Sequence, residues 1–220
     1  MKELIIKEIP FTSSQYYPEI QTKNQIVLHH TVSDPTSPLG DVNSWLSDNQ
    51  RVATYAILGY DGTLYKCFKS NHWGHHLGIK QIDLKRLGFK DYLFRNELLN
   101  KHSIAIEIDA WGGLTKQGNK FLNAYGKPIS DKLEVADCNW RGYTHFQKYS
   151  DAQIEALEFL LPIIMEANKI PNHGLKDGNF GVSMDALSGV PGIYSHSNYR
   201  ADKSDLYPDE RIIKLLNSLP

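Results

Sequence analysis

The chain has 220 residues, with 24 basic and 25 acidic side chains, a net charge of -1 and 41% hydrophobic residues. That balance leaves no surplus of Lys and Arg for nonspecific binding to nucleic acid or an anionic membrane, and the length suits one domain with a full core. No apolar run approaches the roughly 20 residues that span a bilayer, so membrane insertion is not expected. Met1 to Pro10 lacks the regions of a secretory signal, which predicts synthesis in the cytoplasm without a classical signal peptide. Cys67 and Cys138 are too few for a disulfide framework or a four-thiolate metal site and read as ordinary buried thiols.

In chain order, residues 1–24 read as an arm with a short alternating stretch at Leu4 to Ile9. Gln25 to Thr31 is an apolar run that predicts a strand, followed by turn chemistry and a short helix over about Leu39 to Asn49. Val52–Gly59 and Thr63–Phe68 flank Tyr60-Asp61-Gly62, and the Asp-Gly step predicts an antiparallel hairpin. Lys69 to Asp83 is a His- and Gly-rich loop, and Leu84 to Asn100 reads as helical although Gly88 interrupts it. Ser103 to Asp109 alternates, with Ile104, Ile106 and Ile108 toward the core and Glu107 on the opposite face. Residues 112–148 turn polar and aromatic and read as an insertion, with turn signals that suggest a hairpin. Ser150-Asp151 then caps a helix whose apolar residues from Ile154 to Met165 recur at helical spacing, with Pro162 expected to kink it. A Gly-rich loop from Pro171 to Gly192 leads into the segment Ser195 to Asp205, read as a loop. A last helix is predicted over about Pro208 to Asn217, with proline in its first turn.

Two places concentrate chemistry. His29 and His30 end a strand, where successive side chains point to opposite faces, so at most one of them serves a given metal ion. The segment from Ser195 to Asp205 crowds imidazole, carboxylate and ammonium groups together. One strand-end histidine with His196 and Asp205 would supply three nitrogen and oxygen ligands and leave a fourth position for water, the pattern of a hydrolytic zinc site. Taken singly, each has a plainer reading: a hydrogen-bonded strand-end histidine, and a solvated loop capping a helix.

Ile26-Val27-Leu28-His29-His30-Thr31, Tyr60-Asp61-Gly62-Thr63-Leu64-Tyr65, Ser103-Ile104-Ala105-Ile106-Glu107 and His196 with Lys203-Ser204-Asp205 follow one another in an order that resembles the zinc-dependent N-acetylmuramoyl-L-alanine amidase family. That family includes phage endolysins, bacterial muropeptide amidases and peptidoglycan recognition proteins. The resemblance covers about 24–111 and 150–217. It implies a mixed central β-sheet flanked by helices, an α/β fold with the zinc site in a surface groove, and a single amidase-like domain over 1–220.

Residue by residue, the resemblance implies one zinc ion held by His29, His196 and Asp205, with Asp202 as the alternative third ligand. Glu107 matches the position that activates water, and Lys203 is the expected oxyanion-stabilising cation. A catalytic tyrosine of the phage branch would fall near Thr54 or Tyr55. The His72–Gly78 stretch is similar to a cleft-wall segment of the family, and Tyr55, Trp73, His76 and Tyr199 are the expected substrate contacts. The implied partner is peptidoglycan, cut between N-acetylmuramic acid and L-alanine by a monomer that reaches the cell wall after release. A noncatalytic peptidoglycan receptor and a cytoplasmic enzyme for soluble muropeptides are the alternatives. If the insertion extends the groove, deleting 112–148 is expected to change substrate preference more than zinc affinity.

Overall fold

The computed structural model describes residues 4–47 and 49–220. Strand β1 (Ile6–Glu8) precedes β2 (Gln25–His30), helix α1 (Pro38–Leu46), β3 (Ala56–Leu58) and β4 (Leu64–Lys66). Helices α2 (Gln81–Arg86) and α3 (Arg95–His102) lead to β5 (Ser103–Ile108). Four strands follow, β6 (Gly113–Gln117), β7 (Lys120–Leu122), β8 (Val135–Trp140) and β9 (Tyr143–Gln147). The chain closes with α4 (Asp151–Asn168), α5 (Met184–Ser188), β10 (Gly192–Ser195) and α6 (Glu210–Ser218).

Six strands form the central sheet in the order β1-β4-β3-β5-β2-β10. It is mixed: β2 runs parallel to both β5 and β10, while β3 and β4 form the antiparallel hairpin expected at Asp61-Gly62. Gly62 is required there twice over, because its φ of 82° is left-handed and a Cβ would meet the Ala152 carbonyl at 2.8 Å. All six residues of β2 are buried, the expected pattern for a parallel strand covered on both faces. Ile26 and Leu28 join the three isoleucines of β5 in a core shared with Leu157 and Leu161 of α4 and Ile212 and Leu216 of α6. Val27 packs on the other side with Leu84, Leu99 and Leu187, from α2, α3 and α5.

Helix α4 opens with a capping box in which Ser150 and Gln153 exchange hydrogen bonds. It continues past Pro162 to Asn168 as one element; the residue four positions earlier, Glu158, is exposed, so water can take the carbonyl that proline leaves unpaired. The predicted single helix over Leu84 to Asn100 is instead α2 and α3, separated around Gly88 at φ 86°. Pro208 lies outside α6, which Asp209 caps by accepting from the Arg211 amide. The arm contributes β1 to the sheet edge against β4. Residues 113–147 form a second, four-stranded antiparallel sheet in the order β7-β6-β9-β8. Cys67 is buried, Cys138 is half-buried, and both are free thiols.

Candidate active site

The register of the parallel strands assembles the site. His29 of β2 lies opposite Glu107 of β5, both at the carboxyl ends of their strands and both on the face that carries Val27 and Ala105. Ser195 of β10 is opposite Leu28, so His196, one residue on, arrives beside His29. The loop that follows returns to the same point, and the Ser197 amide closes it by donating to the Asp205 carbonyl at 2.8 Å. The carboxyl ends of adjacent parallel strands are where open α/β sheets place their ligands.

Three donor atoms meet there in a nearly equilateral triangle. His29 Nδ1 is 3.1 Å from His196 Nδ1 and 3.2 Å from Asp205 Oδ2, and His196 Nδ1 is 3.0 Å from Asp205 Oδ2. The three residues are at most 5% exposed. In a tetrahedral zinc site with bonds near 2.0–2.1 Å, ligand atoms lie about 3.3 Å apart, close to these edges.

The hydrogen bonds behind the rings decide which nitrogen faces the triangle. Ser103 Oγ donates to the Leu99 carbonyl at 2.7 Å and therefore accepts from His76 Nε2 at 2.8 Å. His76 Nδ1 is then an acceptor, and His29 Nε2 donates to it at 3.0 Å. His196 Nε2 donates to the Leu77 carbonyl at 2.8 Å. Both Nδ1 atoms thus present lone pairs to each other and to a carboxylate, an arrangement that calls for a cation. Burial pushes the His29 imidazole down to about 4, with the neighbouring His196 acting in the same direction, so His29 stays neutral at pH 7. Two imidazoles and one carboxylate form a donor set suited to a divalent metal ion.

Glu107 stands beside this triangle. Burial, reinforced by the Asp205 and Asp41 carboxylates, raises its carboxyl well above the ordinary value, and the Lys203 ammonium opposes the rise. Its Oε2 is sealed from solvent without a hydrogen-bond partner among the described residues. A carboxyl raised in this way is suited to exchanging protons near neutral pH. Glu107, Lys203 and His76 line the same cleft of about 200 Å³ as the three donors.

The remaining expectations divide. Asp202 is held by Arg200 at 2.8 Å and Lys80 at 3.0 Å on the surface, so Asp205 is the third member of the cluster. His30 faces the other side of the sheet, with Nδ1 3.0 Å from the Tyr149 hydroxyl. Three of the four expected substrate contacts lie elsewhere. Tyr199 is 3% exposed, donates to Gln25 at 3.1 Å and packs on Tyr194. Trp73 is also 3% exposed and stacks on Tyr17 at 3.8 Å, while Tyr55 packs between two cores. His76 reaches the cleft but spends its ring on His29 and Ser103. Trp45 of α1, Val52 and Thr54 line the opening instead. No local motif marks Trp45 or Val52; the packing of α1 brings Trp45 there, and a parallel bridge to His75 brings Val52.

The family model for N-acetylmuramoyl-L-alanine amidase matches residues 20–208. No curated protein matches the chain by sequence. Among solved structures the chain is similar to the N-acetylmuramoyl-L-alanine amidase LysC from Clostridium intestinale, with 14% identity, 98% of each chain covered and a TM-score of 0.51. It is also similar to the Staphylococcus aureus hydrolase AmiA in complex with its ligand, with 12% identity, 99% of this chain and 83% of the other covered, and a TM-score of 0.54. A mutant endolysin from Bacillus subtilis matches at 14% identity and a TM-score of 0.51 over 99% of this chain and 94% of that one. With a shared fold, a buried His-His-Asp cluster and a family match spanning most of its length, the chain belongs to the N-acetylmuramoyl-L-alanine amidase family.

Proposed function

We propose that this protein is a zinc-dependent hydrolase that cuts the amide between N-acetylmuramic acid and L-alanine in peptidoglycan. The observation that carries the reading is the convergence of two Nδ1 lone pairs and one carboxylate oxygen within 3.0–3.2 Å of one another. His29, His196 and Asp205 would hold one zinc ion, which supplies a Lewis acid for the scissile carbonyl and acidifies water.

The chain's own residues do the rest. Glu107 takes the proton of the attacking water on its carboxylate and delivers it to the departing alanine nitrogen, a role worth roughly 10²–10⁴-fold. Lys203, on the same cleft, offsets the negative charge that develops on the carbonyl oxygen. His76 orients His29 rather than contacting substrate, and Trp45 and Val52 offer the apolar wall against which a sugar or stem peptide rests. The endolysin among the similar structures supports a lytic role on the cell wall after release.

Purified peptidoglycan incubated with the zinc-loaded protein and examined by mass spectrometry tests the reading. Stem peptides with a new L-alanine amino terminus are expected, lost on chelation and reduced at least a hundredfold by Glu107→Gln with zinc content unchanged. Wall binding without any new amino terminus would favour a receptor, and cleavage of soluble muropeptides alone would favour recycling.

A further inference from the structure

The His196–Asp205 segment has an exacting task with little regular structure to perform it. It carries one donor at each end, and between them only a single turn of 3-10 helix, His196–Asn198, is regular. The second sheet meets this segment at the β8–β9 turn. Trp140 Nε1 donates to the Ser204 carbonyl at 3.1 Å, one residue before Asp205. Arg141 Nη1 donates to the Ala201 carbonyl at 2.7 Å, and Nη2 approaches the Ser197 carbonyl at 3.5 Å. The guanidinium also lies over the Trp140 ring at 4.8 Å, so the two side chains act as one unit.

The backbone at this turn points the same way. Trp140 pairs with Tyr143, leaving Arg141 and Gly142 as a two-residue hairpin turn with φ of 49° and 85°. Such turns favour Asn, Asp or Gly at the first position, because a longer L side chain pays a steric penalty in the left-handed region. An arginine at that position places its head group on two carbonyls of the donor segment, a reach that the residues usual there lack.

We propose that the β8–β9 hairpin is a brace that positions the metal-binding segment, with Trp140 and Arg141 as positioning residues for Asp205, His196 and Lys203. The proposal rests on the metal reading above for its consequence, though not for the brace itself. It reverses the expectation drawn from sequence: removing 112–148 costs metal retention as well as any substrate preference, because the donor segment loses its outer support.

The test compares the wild type with Arg141→Asn and Trp140→Phe. Asparagine suits the left-handed backbone, so the hairpin is kept while the reach is lost, and circular dichroism and thermal melting verify the fold. In metal-free protein, amide hydrogen exchange across 197–205 is expected to quicken at least tenfold in Arg141→Asn, with β2 and β5 unchanged. In zinc-loaded protein, transfer of the ion to a chromogenic chelator is expected to quicken by about tenfold, the lower end for residues that orient metal ligands. Arg141→Lys, retaining one donor toward Ala201, recovers part of both effects. Unchanged exchange across 197–205 overturns the brace. Faster exchange with unchanged zinc transfer overturns its role in positioning the donors. A wild type that takes up no zinc while the variants still loosen 197–205 overturns the zinc reading and supports the brace.

Discussion

The two sheets of this molecule solve opposite problems. The central sheet buries β2 and most of β5, and at their carboxyl ends it buries His29 and Asp109 and leaves Glu107 half-buried on the cleft. The second sheet keeps its acids in solvent, the Asp137 side chain being 93% exposed and that of Glu134 69%. Burial in the first shifts pKa values and fixes donor directions, which chemistry needs and stability does not. The second sheet contributes through two side chains that grip a loop. Chemistry therefore sits where parallel strands end, and the outer sheet matters for what it holds still.

The contrast is broken most severely by removing a donor. Asp205→Asn is expected to abolish zinc uptake and lower amidase activity by more than about 10³-fold, since three protein ligands leave no redundancy. Retained zinc at one ion per chain, measured by atomic absorption, would count against the assigned triangle. A smaller effect is expected one step back, at Ser103→Ala. His76 then loses the acceptor that fixes its tautomer, so His29 is less firmly held with Nδ1 inward, and zinc affinity should fall about 10- to 100-fold. Equal affinity in a competition titration would show that the chain of hydrogen bonds from Leu99 to His29 does not set the ring.

The mildest prediction concerns stability alone. Burial, with Asp41 nearby, raises the Asp109 carboxyl to about 7, while Thr31 and Ser33 donate to its Oδ1. A folded value above the unfolded value of about 4 means that the contribution of Asp109 is present in acid and lost as pH climbs through about 7. Asp109→Asn, which keeps an acceptor for both hydroxyls, should therefore gain about 1–3 kcal/mol over wild type between pH 5 and pH 8 in urea unfolding of the metal-free protein. Parallel stability curves for the two proteins across that range would refute the assignment.

Much of the site could be read from short motifs, and the errors follow one pattern. His29, His196, Asp205, Glu107 and Lys203 do meet at one cleft, as their resemblance to a known family implied, and strand alternation independently placed Glu107 off the isoleucine face. Tyr55, Trp73 and Tyr199 are expected at the substrate from the resemblance alone. Their rings fill cores instead, and nothing local distinguishes a buried aromatic from an exposed one. Strand β10, Gly192–Ser195, is not assigned from the sequence because four residues carry no usable period; pairing with β2 makes them a strand.

By itself the sequence determined the hairpin at Asp61-Gly62, the alternation of β5 and the capped helix at Ser150, because each depends on residues close in the chain. The tertiary structure alone decided which nitrogen of each ring faces inward, and that His76 supports rather than binds. Those choices depend on contacts between residues far apart in the chain, such as His29 with His196 and Arg141 with Ala201. Parallel strands joined by long crossovers set such contacts by register, which no local window of sequence contains.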